Sequence, residues 1–227
     1  MTIKEFIKEL NGQGVEGEII KTIIYSLLTS FITLGVLYFI KLKSIANFIP
    51  NYGFYLFFIT LSYAIIMPAI KQVRAYKELP CMSGMMVGMT IGMISSFLPG
   101  FYVASTNGMF IGGFFGAILG IITGGFIGRC CGVMGIMEGM MAGFMGGLMW
   151  AMTSFMLLND NLKIAAILVF LISTIIMFGL NYMLYKETKS MERQRKEDNF
   201  LTILLSFILT IVTTWLIVFG PRSAIFK

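Results

Sequence analysis

Between Pro80 and Met156 the chain runs for 77 residues with only two charged side chains, Arg129 and Glu138. A soluble domain carries about 25% charged residues and cannot keep so long a stretch out of water. Comparable apolar runs of about 20 residues recur along the 227-residue chain, each long enough to cross a hydrocarbon core of roughly 30 Å as a helix. With 57% hydrophobic and 12% charged residues, the sequence predicts an all-α integral membrane protein. A β-barrel would need strict polar/apolar alternation, which the runs lack.

About seven transmembrane helices are expected. They cover Ile19–Ile40, Ile45–Ile70, Cys81–Val103, Gly108–Gly128, Gly132–Leu158, Ile164–Tyr185 and Phe200–Phe219. Residues 1–18 read as an interfacial amphipathic helix through Ile3, Phe6, Ile7 and Leu10. Residues 19–70 then hold the first two membrane helices, 80–158 a Gly/Met-rich three-helix core, and 164–220 the last two helices around a charged segment, 186–198. The first apolar run is too long for a signal-peptide core. Seven spans would place 12 basic residues on the side of the N-terminus and 5 on the other, which predicts a cytoplasmic N-terminus in a multi-pass plasma-membrane protein. The net charge of +6 thus follows membrane topology, and no nucleic-acid partner is expected.

The central block holds 18 of the 25 glycines, 14 of the 19 methionines and all three cysteines. Residues four apart lie one above another on a helix. At that step Gly84, Gly88 and Gly92 form one row. Gly108, Gly112, Gly116, Gly120, Gly124 and Gly128 form a second, and Gly135, Gly139, Gly143 and Gly147 a third. Rows of this kind let helix backbones approach closely in lipid, so helix packing is expected along them. Sulfur forms two ladders beside the glycines: Cys81, Met85, Met89 and Met93 on one helix, and Met137, Met141, Met145 and Met149 on another. A faint repeat aligns Gly84–Met89 with Gly135–Met140 at an offset of 51 residues.

A thioether is a soft, neutral ligand suited to Cu(I), and sites one turn apart, roughly 5.4 Å, would let a cation step along a helix. Methionine also fills apolar gaps. The other runs are nevertheless built of Leu, Ile and Phe with only Met67, Met177 and Met183 among them, so the enrichment is local. Cys81, Cys130 and Cys131 fall at one end of the three central helices and could capture Cu(I) there, exchanging it with a cytoplasmic copper chaperone. Glu138, an intramembrane carboxylate, is a candidate to compensate a cation's charge or carry a coupled proton, unless it pairs with Arg129.

The Met85, Met89, Met93 ladder beside Gly84, Gly88, Gly92 resembles the transmembrane motif of Ctr-type copper transporters. That resemblance implies a methionine-lined path between subunits and cysteine-bearing cytoplasmic ends. The seven expected spans and the lack of histidine depart from that family, so its trimeric architecture is not implied.

The expected function is therefore transport of a soft metal cation, with Cu(I) as substrate or ligand, no organic cofactor and no enzymatic role. A homo-oligomer or partner membrane subunit is allowed for. Two alternatives stand beside it. One is a thiol-disulfide carrier using Cys81 and Cys130 or Cys131, in which Pro80-Cys81 is weakly similar to CcdA/DsbD-type proteins. The other is a glycine-zipper scaffold or assembly subunit.

Overall fold

The structure, a computed structural model, describes residues 17–44, 48–76, 80–188 and 199–222. The expected interfacial helix (to residue 16) and most of the charged segment 186–198 lie outside the described residues. Among those residues every regular element is helical. The order is α1 (Gly17–Ile40), α2 (Phe54–Arg74), α3 (Cys81–Asn107), α4 (Met109–Gly128), α5 (Gly132–Met156), α6 (Leu162–Thr188) and α7 (Asn199–Phe219). Six segments are long and apolar enough to cross a membrane, which marks a multi-pass membrane protein by length and composition. One of them, Met109–Met156, contains both α4 and α5, joined by the short helical turn Arg129–Cys131.

Two helices run further than their hydrophobic pattern predicts. Lys71, Arg74 and Lys77 read in the sequence as a basic loop closing the second span, but α2 continues through Lys71 to Arg74, so Lys71 is a buried helix residue. α3 passes through Pro99 and ends only at Asn107. A proline inside a helix removes one backbone hydrogen bond. Here the second half of α3, from Ile94 to Asn107, is buried among its neighbours, which hold the helix across that gap. A single residue, Gly108, then joins α3 to α4 with φ of 111°, a conformation L side chains rarely adopt.

The centre of the molecule is made by glycine meeting glycine. A Cβ added to Gly88 would lie 3.2 Å from the Gly128 Cα, one on Gly124 3.1 Å from the Gly92 Cα, and one on Gly116 3.0 Å from the Gly100 Cα. As the number rises by four on α3 it falls by four on α4, so the two helices are antiparallel. α4 and α5 repeat the pattern, a Cβ on Gly120 reaching 2.6 Å from the Gly143 Cα and one on Gly124 2.6 Å from the Gly139 carbonyl carbon. α3 and α5 run parallel: added Cβ atoms on Gly88 and Gly92 would lie 3.7 and 2.8 Å from the carbonyl oxygens of Gly135 and Gly139. Contacts thus join residues 47 apart, one helical turn less than the 51-residue sequence repeat, because the two glycine rows interlock with a one-turn stagger.

α2, α6 and α7 pack against the side of α3, α1 packs on α2 and α7, and these helices together with α3 hold the large buried side chains. Phe58 of α2 stacks on Tyr102 of α3 and meets Phe170 of α6 edge-on, with ring centroids 6.1 and 5.4 Å apart. The Tyr102 hydroxyl donates to the Ala166 carbonyl at 3.2 Å. Hydroxyls join α1 to α7: Ser26 and Ser206 oxygens lie 3.0 Å apart, and Thr210 donates to Ser30 at 3.2 Å. Such bonds are worth about 0.6 kcal/mol each between membrane helices.

A leucine at Gly124 has no space between α3 and α5, whereas Gly35 of α1 has nothing within 4 Å of an added Cβ. Gly124→Leu is expected to cost about 1–3 kcal/mol or more through overpacking against backbone that cannot rotate away. Gly35→Leu should be close to neutral. Thermal unfolding in detergent checks this, and equal midpoints for the two variants would refute backbone contact as the basis of the core.

Candidate functional site

Turning the glycines inward decides where the sulfur goes. Met89 and Met93 of α3 are exposed and Met85 is half-buried. Met137, Met141, Met145 and Met149 of α5 are all exposed, and the exposed ladder methionines range from 41% at Met93 to 60% at Met149. Neither ladder lines a channel inside the chain. Both lie on the outer surface of the three-helix unit, while Gly84, Gly88, Gly92, Gly112, Gly116, Gly120, Gly124, Gly135, Gly139 and Gly143 are buried behind them.

The structure brings the cysteines together at one end. Cys81 opens α3, and Cys130 and Cys131 form the turn before α5. The two adjacent sulfurs lie 4.0 Å apart, and the Cys131 thiol donates to the Cys81 carbonyl at 3.3 Å. All three thiols are free, Cys81 exposed and the other two half-buried. Among the described residues no group of three or more His, Cys, Asp or Glu side chains is arranged to hold a metal ion. Methionine sulfur lies outside that donor set.

Glu138 is half-buried. It forms no ion pair with Arg129, whose guanidinium lies 5.4 Å from the Phe126 ring centroid instead. A Cβ on Gly146 would lie 3.3 Å from the Met93 Cα. On α5 itself Met141 and Met145 follow Glu138 by three and seven residues, which puts all three on one face. The carboxylate belongs to the sulfur face.

A second polar centre escaped the sequence reading. Lys71, 8% exposed, lies with Nζ 3.2 Å from a Glu18 carboxylate oxygen and donates to the Asn199 side-chain oxygen at 2.7 Å. It ties the start of α1 and the start of α7 to the end of α2. Beside it Gln72, 1% exposed, donates to the Asn181 backbone oxygen at 3.5 Å. The side-chain oxygens of Gln72 and Asn181 are buried without a hydrogen-bond partner. A cavity of about 10 Å³ between Glu18, Thr22, Pro68, Lys71 and Gln72 has room for one water. The available signal was the step of four in Thr22, Ser26, Ser30 and Thr202, Ser206, Thr210. Those rows mark polar seams that converge on this end.

Comparison with protein-family models, curated proteins and solved structures finds no match to this chain.

The Glu18 and Lys71 side chains are 28% and 9% exposed, so the two ends of the ion pair should respond unequally to mutation. Glu18→Gln leaves a buried ammonium and is expected to cost about 3 kcal/mol, within the range for an uncompensated charge. Lys71→Met leaves a carboxylate that water can reach and should cost less. The double variant should cost less than the sum of the two, as a double-mutant cycle measured by denaturant unfolding would show. Additive costs would mean that the pair is not coupled.

Proposed function

We propose that this protein is a channel or carrier for a soft metal cation, Cu(I) foremost. It would cross the membrane seven times, with α4 and α5 as separate spans, and its N-terminus and the three cysteines would lie on the cytoplasmic side of the plasma membrane. The observation that carries this reading is a continuous outward strip of sulfur: Cys81, Met85, Met89 and Met93 along α3, with the Cys130 and Cys131 thiols gathered at its foot. Thiol and thioether are the donors that favour Cu(I), and a neutral thioether binds weakly enough to pass the ion on.

The position of the ladders speaks for a use of methionine other than core filling. A flexible gap-filler belongs in a core, and here the buried methionines are Met67 and Met177, while both ladders face out. An outward strip becomes a path when a second surface covers it, so the conducting form would be a homo-oligomer or a complex with a partner membrane subunit. Glu138, on the α5 face that carries Met141 and Met145, would offset the charge of a passing ion. A cytoplasmic chaperone would exchange Cu(I) at that end.

The glycine rows contact one another within the chain, which leaves them poorly placed to serve as a scaffold's docking surface. A thiol-disulfide relay across the membrane would need a partner thiol at the far end, and all three cysteines share one end.

Cu(I) titration of the purified protein under reducing conditions tests the proposal, comparing wild type with Met85/Met89/Met93→Leu and with Cys81/Cys130/Cys131→Ser. Each variant should lose bound copper, the methionine variant from the strip and the cysteine variant from its foot. Because the methionines are on the surface, the leucine protein should keep its thermal midpoint. Unchanged copper binding in both variants would sink the proposal.

A further inference from the structure

The glycine row of α5 divides the surface of that helix into two flanks. A Cβ added to Gly125 would touch Met140 and Ile136, so the flank that carries those two side chains lies against α4. Viewed down the axis, Ile136 stands about 100° to one side of Gly135 and Glu138 about 60° to the other. Met134 and Met141 fall on the side of Glu138, at about 100° and 120°, one turn before it and one turn after it. Both methionines are exposed and Glu138 is half-buried. Helix side chains lean toward the N-terminus, so Met141 leans over Glu138 and Glu138 over Met134. Among the described residues no cationic side chain pairs with the carboxylate.

We propose that Met134, Glu138 and Met141 form a discrete Cu(I) site on α5, with the two thioethers as ligands and the carboxylate as the counter-charge. The inference rests on the soft-cation reading and adds to it a first binding station on the second ladder, with Met134 as a ligand outside the ladder's own register. An intramembrane carboxylate is costly unless its charge is met. A proton, a basic side chain of a partner helix or a metal ion could meet it. The residues one turn to either side choose among these, because a thioether offers little to a proton or an ammonium group and is the donor type that selects Cu(I). Carboxylate alone would favour hard cations, for which thioether is a poor ligand. One positive ion against one negative ligand makes a neutral complex, which is the form that costs least in hydrocarbon. Glu138 lies about 10 Å along the axis from the turn that holds Cys130 and Cys131. An ion released by those thiols therefore meets this site before Met145 and Met149, whose neutral sulfurs pass it on.

Competition for Cu(I) against a chromophoric chelator, with the full chain in detergent, measures the site. The background protein carries Cys81/Cys130/Cys131→Ser and Met85/Met89/Met93→Leu, which removes the thiols and the α3 ladder. On that background Glu138→Gln is expected to weaken Cu(I) binding about tenfold, and Met134/Met141→Leu at least as much. None of the three side chains is buried, so these variants should keep the thermal midpoint of the background protein. X-ray absorption at the copper edge should lose sulfur neighbours in Met134/Met141→Leu and an oxygen neighbour in Glu138→Gln. Unchanged affinity in both variants overturns the site and leaves the soft-cation reading standing. So does binding by the wild type with none by the background protein. If neither protein binds Cu(I), the reading and the site fall together. A smaller oligomer in Glu138→Gln at unchanged affinity would assign the carboxylate to a partner's basic group, which also overturns the site.

Discussion

The close approach of backbone to backbone along three glycine rows is the contact on which the rest of this structure depends. In lipid the hydrophobic effect gives helices little reason to associate, and dispersion between tightly apposed surfaces does the work. Only glycine allows the approach seen between Gly124 and Gly139, where any Cβ would overlap backbone. A row of side chains a single methylene larger would push α4 off both neighbours. The three helices would then lose the contacts that set their register.

Once the glycines face inward, helix geometry fixes the sulfur. On α3 each ladder methionine follows a row glycine by one residue, about 100° around the axis, and on α5 by two residues, about 200°. The first ladder should therefore graze the helix contact and the second should point almost directly away from it. That is the difference observed: Met85 is half-buried and Met93 41% exposed on α3, against 55% to 60% for the four methionines of α5. The sulfur strip is a consequence of the packing, set by a one- or two-residue offset in sequence.

Much of this was legible in the sequence because both signals, apolar length and a step of four, are local. The helical character of the central rows, the partition of the chain into apolar segments and the convergence of Cys81 with Cys130 and Cys131 all follow from such patterns. What was not legible depends on distant partners. Lys71 reads as the first residue of a basic loop until α1 supplies Glu18 and α7 supplies Asn199, 128 residues further on. The third span reads as ending at Val103 until burial of its second half carries α3 through to Asn107. The side to which the ladders turn was open for the same reason, because a row of glycines and a row of methionines on one helix each offer a packing face.

The two halves of the bundle solve the problem of association in lipid by different means, and the difference bears on function. α3, α4 and α5 are held to one another by backbone contact, which leaves much of the side-chain surface of α4 and α5 and the methionine-bearing first half of α3 uncommitted. α1, α2, α6 and α7 are held by side chains: aromatic pairs, hydroxyl bonds and the Glu18, Lys71, Asn199 junction. In the second half a change of side chain disturbs the fold. In the first, the outward faces of α3 and α5 can change chemistry at little cost to stability, since the contacts that fix those helices lie behind them. Leucine would satisfy lipid on such a face as well as methionine does, and the other helices of this chain use leucine, isoleucine and phenylalanine there. Packing therefore does not require the sulfur, and its concentration on these two faces is the observation from which the metal proposal starts.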